Sequence, residues 1–269
     1  MINVLHSSGW LPTDSSVHSV VEEQAGGGGG LGKASRLVIT YRDHEEHALS
    51  LILKQANEIM PRSIALLAHE VRAYGSDIFT KAGLTVPRHV AITEGPLAPA
   101  LLLEDLGDSG FTRFRVGCTE QDALAMMEAA AALHAEHWEY PRERYEWVPD
   151  VIDSDITKYC IDSLARFSSW PPSLRQHATF VACHAEMIAA RLTDGHTTIT
   201  HGDFHCLNLS LRNTDGVVGV TIVDLQLIQR ATPMLDVARF IGTSLQSRVR
   251  GQIDGKTSRT LLRQIAGSR

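Results

Sequence analysis

The chain has 269 residues, which is enough for one large domain or two lobes with a substantial core. Hydrophobic residues make up 43% of it and the formal net charge is −6, so the composition excludes a largely disordered chain and argues against a nucleic-acid-binding protein. There is no basic start followed by an apolar run, no stretch of membrane-spanning length and no C-x-x-C pair, so we expect a cytoplasmic protein without a membrane partner or a disulfide framework.

The first part of the chain predicts a strand, a glycine-rich loop and a second strand. The strands are residues 17–22 and 36–41, and the loop between them contains five consecutive glycines. Glycine lets backbone amides approach phosphate oxygens because no Cβ stands in the way, so the loop is a candidate nucleotide-binding loop. A flexible turn of low complexity is the alternative. The candidate residues are Gly28, Gly29 and Gly30.

A third strand, residues 48–54, ends on Lys54, and a helix is predicted to begin at Pro61 and to end at Gly83. Its apolar positions at helical spacing are Ile64, Leu67, Val71, Tyr74 and Ile78. Glu70 lies beside this stripe, where an unpaired charge would be costly to bury. Glu70 therefore either pairs with Lys54 or stays on the surface, with or without Arg72 as its partner.

Two more strands are predicted at residues 86–93 and 100–106, which completes a small lobe of five mainly antiparallel strands and one helix. We place this lobe at residues 1–106 and a larger, helical lobe at residues 107–269. The second lobe starts with a long helix over residues 119–138, in which Thr119 and Asp122 have the spacing of a capping box.

The segment from His201 to Asn208 reads H-G-D-F-H-C-L-N and predicts a loop that leaves a short strand. Residues 209–211 and 217–223 then predict a hairpin, because a turn sequence lies between them. That hairpin would bring Asn208 near Asp224, with Asp203 across the gap. Phosphoryl transfer needs such a set, with one carboxylate to orient the attacking hydroxyl and an oxygen pair to hold magnesium on the phosphates.

A second interpretation of the same segment is half of an iron site. His201 and Asp203 match the H-x-D part of a two-histidine, one-carboxylate iron centre, and His205 extends the pattern. An oxygenase of that type would need a strand-dominated chain, whereas this chain is mostly helical by pattern. We expect His201 to brace the loop and His205 to line a groove.

H-G-D-x-x-x-x-N followed by a strand-borne aspartate resembles the catalytic core of the aminoglycoside phosphotransferase and choline-kinase-like superfamily. The segment L-H-A-E-H-W at residues 133–138 is similar to a pattern in the central helix of that superfamily. The resemblance implies an α+β, two-lobe, protein-kinase-like fold. It also implies Asp203 as the catalytic base, Asn208 and Asp224 as Mg²⁺ ligands, and ATP or GTP as the phosphoryl donor.

The resemblance assigns further roles along the chain. Lys54 would grip the α- and β-phosphates, and Glu70 would fix that lysine. Residues 101–107 resemble the hinge whose backbone binds the nucleobase, which makes Glu104 and Leu106 nucleotide-binding candidates, although the acidic pair at 104 and 105 could equally be solvated. Asp236 resembles the aspartate that braces the catalytic loop. A glutamine two residues after Asp224, here Gln226, resembles the pattern of the ecdysteroid-kinase-like branch.

The acceptor is expected to be a hydroxylated small molecule that binds between Asp203 and residues 139–172. This segment holds seven acidic and four basic residues, which favours a cationic acceptor such as an amino-bearing antibiotic. Its aromatic residues suit a flat, apolar acceptor instead, and a solvated acidic face is the third possibility. The rival functions are a ligand-binding pseudokinase and the iron oxygenase, and the absence of D-F-G and A-P-E motifs disfavours a protein kinase.

Overall fold

The computed structural model describes residues 2–12, 14–24, 32–41, 48–57, 61–92, 99–107, 112–113, 117–151, 171–214 and 217–245. The chain divides into two compact units. The first comprises Met1–Thr80, Thr85–Phe114 and Asn208–Leu227, and the second comprises Lys81–Leu84, Arg115–Leu207 and Ile228–Arg269. None of the described helices has both the length and the apolar character needed to cross a membrane.

The first unit is built on a five-stranded antiparallel sheet. Its strands are β1 (Val17–Gln24), β2 (Gly32–Tyr41), β3 (Ala48–Ala56), β4 (His89–Ile92) and β5 (Ala100–Glu104). They lie in the order β1-β2-β3-β5-β4, so β3 is the central strand. Alternate residues of β2 and β3 point into a core that also receives Leu5 and Leu11 from the N-terminal segment. The short helix α1 (Ile2–Ser7) contributes Leu5 to that core.

Helix α2 (Pro61–Tyr74) and the four-residue helix α3 (Ile78–Lys81) follow β3. The sequence predicted one continuous helix from Pro61 to Gly83. This prediction was wrong, because the helix is interrupted between Tyr74 and Ile78. The helix stops at Tyr74, and Ser76 Oγ accepts a weak bond from the Ile78 amide at 3.5 Å and so starts the next turn. Ile64, predicted to be buried, is 41% exposed. The buried face of α2 instead includes Leu66, Leu67 and Glu70.

A second sheet in the first unit contains the predicted hairpin between Asn208 and Asp224. It consists of β6 (Thr112–Arg113), β8 (Leu209–Thr214) and β9 (Val217–Ile222) in the order β6-β8-β9. The hairpin β8–β9 is antiparallel and pairs Leu209 with Ile222. The hairpin prediction is therefore confirmed. A short 3₁₀ helix, Leu225–Leu227, comes after β9 and packs against α2.

The described residues of the second unit include four α-helices and a two-stranded sheet. The helices are α4 (Glu120–Glu136), α5 (Pro172–Cys183), α6 (Ala185–Thr193) and α7 (Met234–Ser244), and the strands are β7 (Thr198–Thr200) and β10 (Gln229–Ala231). Thr119 and Asp122 form the predicted capping box at the start of α4. Helices α5 and α6 follow each other directly, with His184 between them.

Candidate functional site

The ammonium group of Lys54 joins two carboxylates in the first unit. Its Nζ atom lies 2.6 Å from Glu70 Oε1 and 2.7 Å from Asp224 Oδ1. The side chain of Glu70 is only 2% exposed and that of Lys54 21%, so the group lies largely away from water. The predicted pairing of Lys54 with Glu70 is present, and the surface alternative for Glu70 is excluded.

Three elements of the sequence place these charges. Lys54 lies on the central strand β3, Glu70 lies on the buried face of α2, and Asp224 directly follows β9. Asp224 has φ +64°, a left-handed conformation that a non-glycine residue adopts at an energetic cost. The turn after β9 therefore holds the Asp224 carboxylate in one orientation, toward Lys54.

The electrostatics of this group keep Lys54 charged. Burial on its own would lower the pKa of Lys54, but the carboxylates of Glu70 and Asp224 outweigh it and raise that pKa above its usual value. Burial raises the pKa of Glu70, and the negative charge of Asp224 adds to this effect, while Lys54 opposes it. Burial, together with the charges of both carboxylates, raises the pKa of the neighbouring Tyr74 phenol well above its usual value.

Asn208 and Asp224 lie at the same end of the β8–β9 hairpin. The Val223 amide donates to the backbone carbonyl of Asn208 over 3.0 Å, which continues the ladder by one pair beyond Leu209 and Ile222. An amide oxygen and a carboxylate are hard oxygen donors, and Mg²⁺ commonly uses one or two such groups together with substrate phosphates and water. The donor set therefore fits magnesium. Among the described residues, no cluster of three or more His, Cys, Asp or Glu side chains has an arrangement that could hold a metal ion.

Asp203 lies in the second unit, where both oxygens of its carboxylate have a cationic or hydrogen-bonding neighbour. Arg239, on α7, donates to Asp203 Oδ1, and His205 Nε2 lies 3.3 Å from Oδ2. Burial on its own would raise the pKa of Asp203, but the hydrogen bond from His205 and the positive charge of Arg239 lower it to about 2. The carboxylate is consequently ionised throughout the neutral range.

The two histidines of the loop make the same local contact. The Asp203 amide donates to His201 Nδ1 over 3.3 Å, and the Leu207 amide donates to His205 Nδ1 over 3.2 Å. A ring nitrogen that accepts cannot carry a proton, so the hydrogen-bond network assigns the proton of each neutral ring to Nε2. In His205 that Nε2–H faces Asp203. His201 is fully buried, in keeping with its predicted bracing role.

Asp236 holds the backbone of the loop from the first turn of α7. Its Oδ2 accepts the His201 amide at 2.8 Å and its Oδ1 accepts the Gly202 amide at 2.9 Å. His134 Nε2, on α4, lies 3.0 Å from the same Oδ2, and both side chains are fully buried. Gly202 has φ +80°, which a residue with a Cβ adopts rarely, so the loop turns sharply immediately before Asp203. These contacts agree with the predicted bracing role of Asp236.

Sequence comparison adds the family to this geometry. Residues 34–255 match the ecdysteroid kinase-like family. The chain belongs to the ecdysteroid kinase-like family. No curated protein matches it.

Two solved structures resemble this ecdysteroid kinase-like chain. One is an aminoglycoside-3'-phosphotransferase of type VIII, at 20% identity and a TM-score of 0.53, with 90% of this chain and 82% of that chain covered. Another is a microcompartment-associated aminopropanol kinase, at 12% identity and a TM-score of 0.43, with 90% of this chain and 74% of that chain covered. The first confirms the predicted α+β, two-lobe, kinase-like fold. The iron-oxygenase interpretation required a different, strand-dominated fold and is wrong.

The predicted hinge of this ecdysteroid kinase-like protein is anchored by a buried acid. Asp105 is 5% exposed and its Oδ2 accepts hydrogen bonds from Arg36 Nε at 2.7 Å and Ser50 Oγ at 2.8 Å. The suggestion that the acidic pair is solvated is therefore wrong for Asp105. The Glu104 amide donates to the Arg88 carbonyl at 2.9 Å, and the Leu106 side chain is 4% exposed.

Two predictions lie outside the described residues: the nucleotide-binding role of Gly28, Gly29 and Gly30, and the greater part of the acceptor segment. Sequence reasoning missed Arg239 and the contact of His205 with Asp203. Arg239 could have been found from its spacing, because it lies three residues after Asp236 and so falls on the same face of a helix.

Proposed function

We propose that this chain transfers the γ-phosphoryl group of ATP or GTP to a hydroxyl group of a small molecule, with Mg²⁺ as the metal. The supporting observation is the position of Lys54, held at 2.6 Å from Glu70 and 2.7 Å from Asp224. A buried lysine fixed by one acid beside a second acid that suits Mg²⁺ is the arrangement that grips a nucleoside triphosphate.

The residues of the first unit would bind the nucleotide. Lys54 would hold the phosphates as a fixed positive charge, and Glu70 would keep its ammonium group from turning away. Asn208 and Asp224 would hold the magnesium ion, which neutralises charge on the phosphates when it is bound. Asp224 also has the Lys54 ammonium group as a counter-ion, at 2.7 Å.

Asp203 would orient the acceptor. An ionised carboxylate accepts a hydrogen bond from the attacking hydroxyl and so directs the oxygen lone pair at the phosphorus. The lowered pKa of Asp203, about 2, supplies that ionised form at neutral pH. A carboxylate of such low basicity acts chiefly by alignment, and it receives the hydroxyl proton late in the reaction.

For the acceptor we propose a hydroxylated small molecule, with amino-bearing antibiotics ahead of macrolide- or steroid-like compounds. The motivation remains the acidic excess of residues 139–172. Two acids in the described part have a basic residue as neighbour: Glu139 lies 2.6 Å from His196, and Asp150 contacts Arg142. An acid with a basic neighbour attracts an ammonium group less strongly than a solitary acid does. These pairs therefore reduce the expected preference for a cationic over a neutral acceptor.

The test is nucleotide consumption by the purified protein with Mg²⁺, against a panel of hydroxylated compounds that includes amines, macrolides and sterols. We expect phosphorylated product, detected by mass spectrometry, from at least one member of the panel, and its formation should be roughly 10²–10⁴-fold slower in the Asp203→Asn variant. Nucleotide binding without product from any class of acceptor would favour the pseudokinase alternative over this proposal.

A further inference from the structure

Helix α7 holds the segment from His201 to Cys206 at three positions in the second unit. Asp236 accepts the His201 and Gly202 amides, and Ser244 Oγ accepts the Cys206 amide at 2.8 Å. Arg239 lies between these two positions and is the residue of α7 that donates to the Asp203 carboxylate. The first two contacts fix the backbone of the segment, and the third fixes the side chain.

We propose that Arg239 is a positioning residue that clamps Asp203 Oδ1 and so aligns the carboxylate for the acceptor hydroxyl. This inference rests on the proposed function, because alignment matters only if Asp203 receives a hydroxyl. His205 holds the other oxygen, Oδ2, through the Nε2–H that its tautomer provides. Two donors on opposite oxygens stop rotation of the carboxylate about its last bond, which one donor would not do.

Arg239 differs from His205 in its charge. A guanidinium group is charged at every accessible pH, whereas a histidine can hold Asp203 as a neutral donor. The described groups that act on Asp203 include His201 and His205 from its own segment and Arg239 from α7, and of these three Arg239 carries a permanent positive charge. Burial disfavours the ionised form of Asp203, and the charge of Arg239 offsets part of this effect. Loss of the Arg239 charge would therefore raise the pKa of Asp203.

The clamp is compatible with catalysis. A carboxylate oxygen has two lone-pair sites, so Oδ1 can accept from Arg239 and from a hydroxyl at the same time. Arg239 is 47% exposed, whereas Asp203 is 15% exposed, so the guanidinium also reaches solvent beside the carboxylate. The acceptor therefore need not displace the arginine in order to reach Asp203.

The experiment compares Arg239→Met and Arg239→Lys with the parent protein. The first measurement is the pKa of Asp203, which is determined by carboxyl-carbon NMR of the full chain. The Asp203 signal is assigned as the one that is lost in Asp203→Asn. Arg191→Met is the matched control, because Arg191 also pairs with an acid of the second unit but lies on the surface, 77% exposed. We expect the pKa of Asp203 to rise in Arg239→Met, to rise less in Arg239→Lys, and to stay at the parent value in Arg191→Met.

The second reading is the pH profile of turnover. Arg239→Met should lose about tenfold or more in kcat with little change in nucleotide KM, because misalignment affects the reaction more than nucleotide binding. Its acidic limb should move to higher pH, and Arg239→Lys should recover part of both effects. A parent-like pKa of Asp203 in a folded Arg239→Met protein would overturn the proposal, and so would a parent-like kcat and pH profile.

The two readings separate the clamp from the proposed function. If the pKa of Asp203 rises in Arg239→Met but the parent protein phosphorylates no acceptor, the contact is real and the kinase assignment fails, so the catalytic role of the clamp fails with it. If the parent is an active kinase and Arg239→Met is unchanged in both readings, the kinase assignment survives and the clamp does not. If Arg239→Met does not fold, Arg239→Lys carries the same test through both readings.

Discussion

Lys54 and Asp224 lie 170 residues apart in the chain, and their side chains meet over 2.7 Å. The contact joins the central strand of the five-stranded sheet to the turn that follows the β8–β9 hairpin, within the first unit. It places the residue proposed to grip the phosphates beside the residue proposed to hold their magnesium ion.

The Lys54–Glu70 pair should show strong coupling. Lys54→Ala leaves the buried Glu70 carboxylate without its counter-charge, and Glu70→Ala leaves Lys54 with Asp224 alone. The double substitution removes both members of the pair, so it should cost less than the sum of the single ones. We expect a coupling of roughly 1–3 kcal/mol in a double-mutant cycle of kcat/KM and of unfolding free energy.

The exposed pair of Lys33 and Glu22 is the control for that cycle, because both side chains are well solvated at the same 2.6 Å separation. Its single and double changes should be additive within experimental error. Additive effects at Lys54 and Glu70 as well would contradict the assignment of Glu70 as the residue that fixes the lysine.

Asp224→Ala should lose most of the magnesium dependence of nucleotide binding, because Asn208 alone would then remain to hold the ion in the described site. The measurement is titration calorimetry of nucleotide with and without Mg²⁺. Asp194→Ala, a surface change, should behave like the parent. Equal magnesium dependence in the Asp224 variant and the parent would remove Asp224 from the metal site.

Asp203→Asn should keep the fold and nucleotide binding but lower turnover by roughly 10²–10⁴-fold, because the amide cannot act as the anionic acceptor of the hydroxyl proton. The check is steady-state kinetics beside a nucleotide titration. Activity within a few-fold of the parent would show that another group aligns the acceptor.

Asp236→Ala should destabilise the protein by roughly 2–5 kcal/mol, because it leaves the His201 and Gly202 amides and the His134 ring without a buried acceptor. Denaturant unfolding measures this loss. Asp194→Ala again serves as the control, since Asp194 is 64% exposed. A small effect of Asp236→Ala would mean that water or a neighbouring group satisfies the loop backbone.

The salt dependence of kcat/KM should reveal the charge of the acceptor. A cationic acceptor attracted by the acidic excess of residues 139–172 should lose efficiency steeply between low and physiological salt, as the Debye length shortens to about 8 Å. A neutral acceptor should show little change. A neutral compound that is phosphorylated far better than every amine in the panel would reverse the proposed order of acceptors.

The sequence by itself determined the elements and the local motifs. Residues 36–41 and 48–54 predicted strands within β2 and β3, Thr119 and Asp122 predicted the start of α4, and the turn sequence at residues 213–216 predicted the β8–β9 hairpin. These features depend on neighbours a few residues away, so a local pattern is sufficient to find them. The local pattern also placed Asn208 and Asp224 together, because a hairpin fixes the register of both its strands.

Only the tertiary structure decided the charge partners. Glu70 could have been a surface residue, and Asp105 a solvated one, until the folded chain placed Lys54 beside the first and Arg36 beside the second. The spacing of Arg239 from Asp236 placed both residues on one face of a helix but did not identify its partner, because the contact of Arg239 with Asp203 spans 36 residues. The free energy of an ion pair depends on distance and on burial, and both are properties of the packed chain that the order of its residues leaves open.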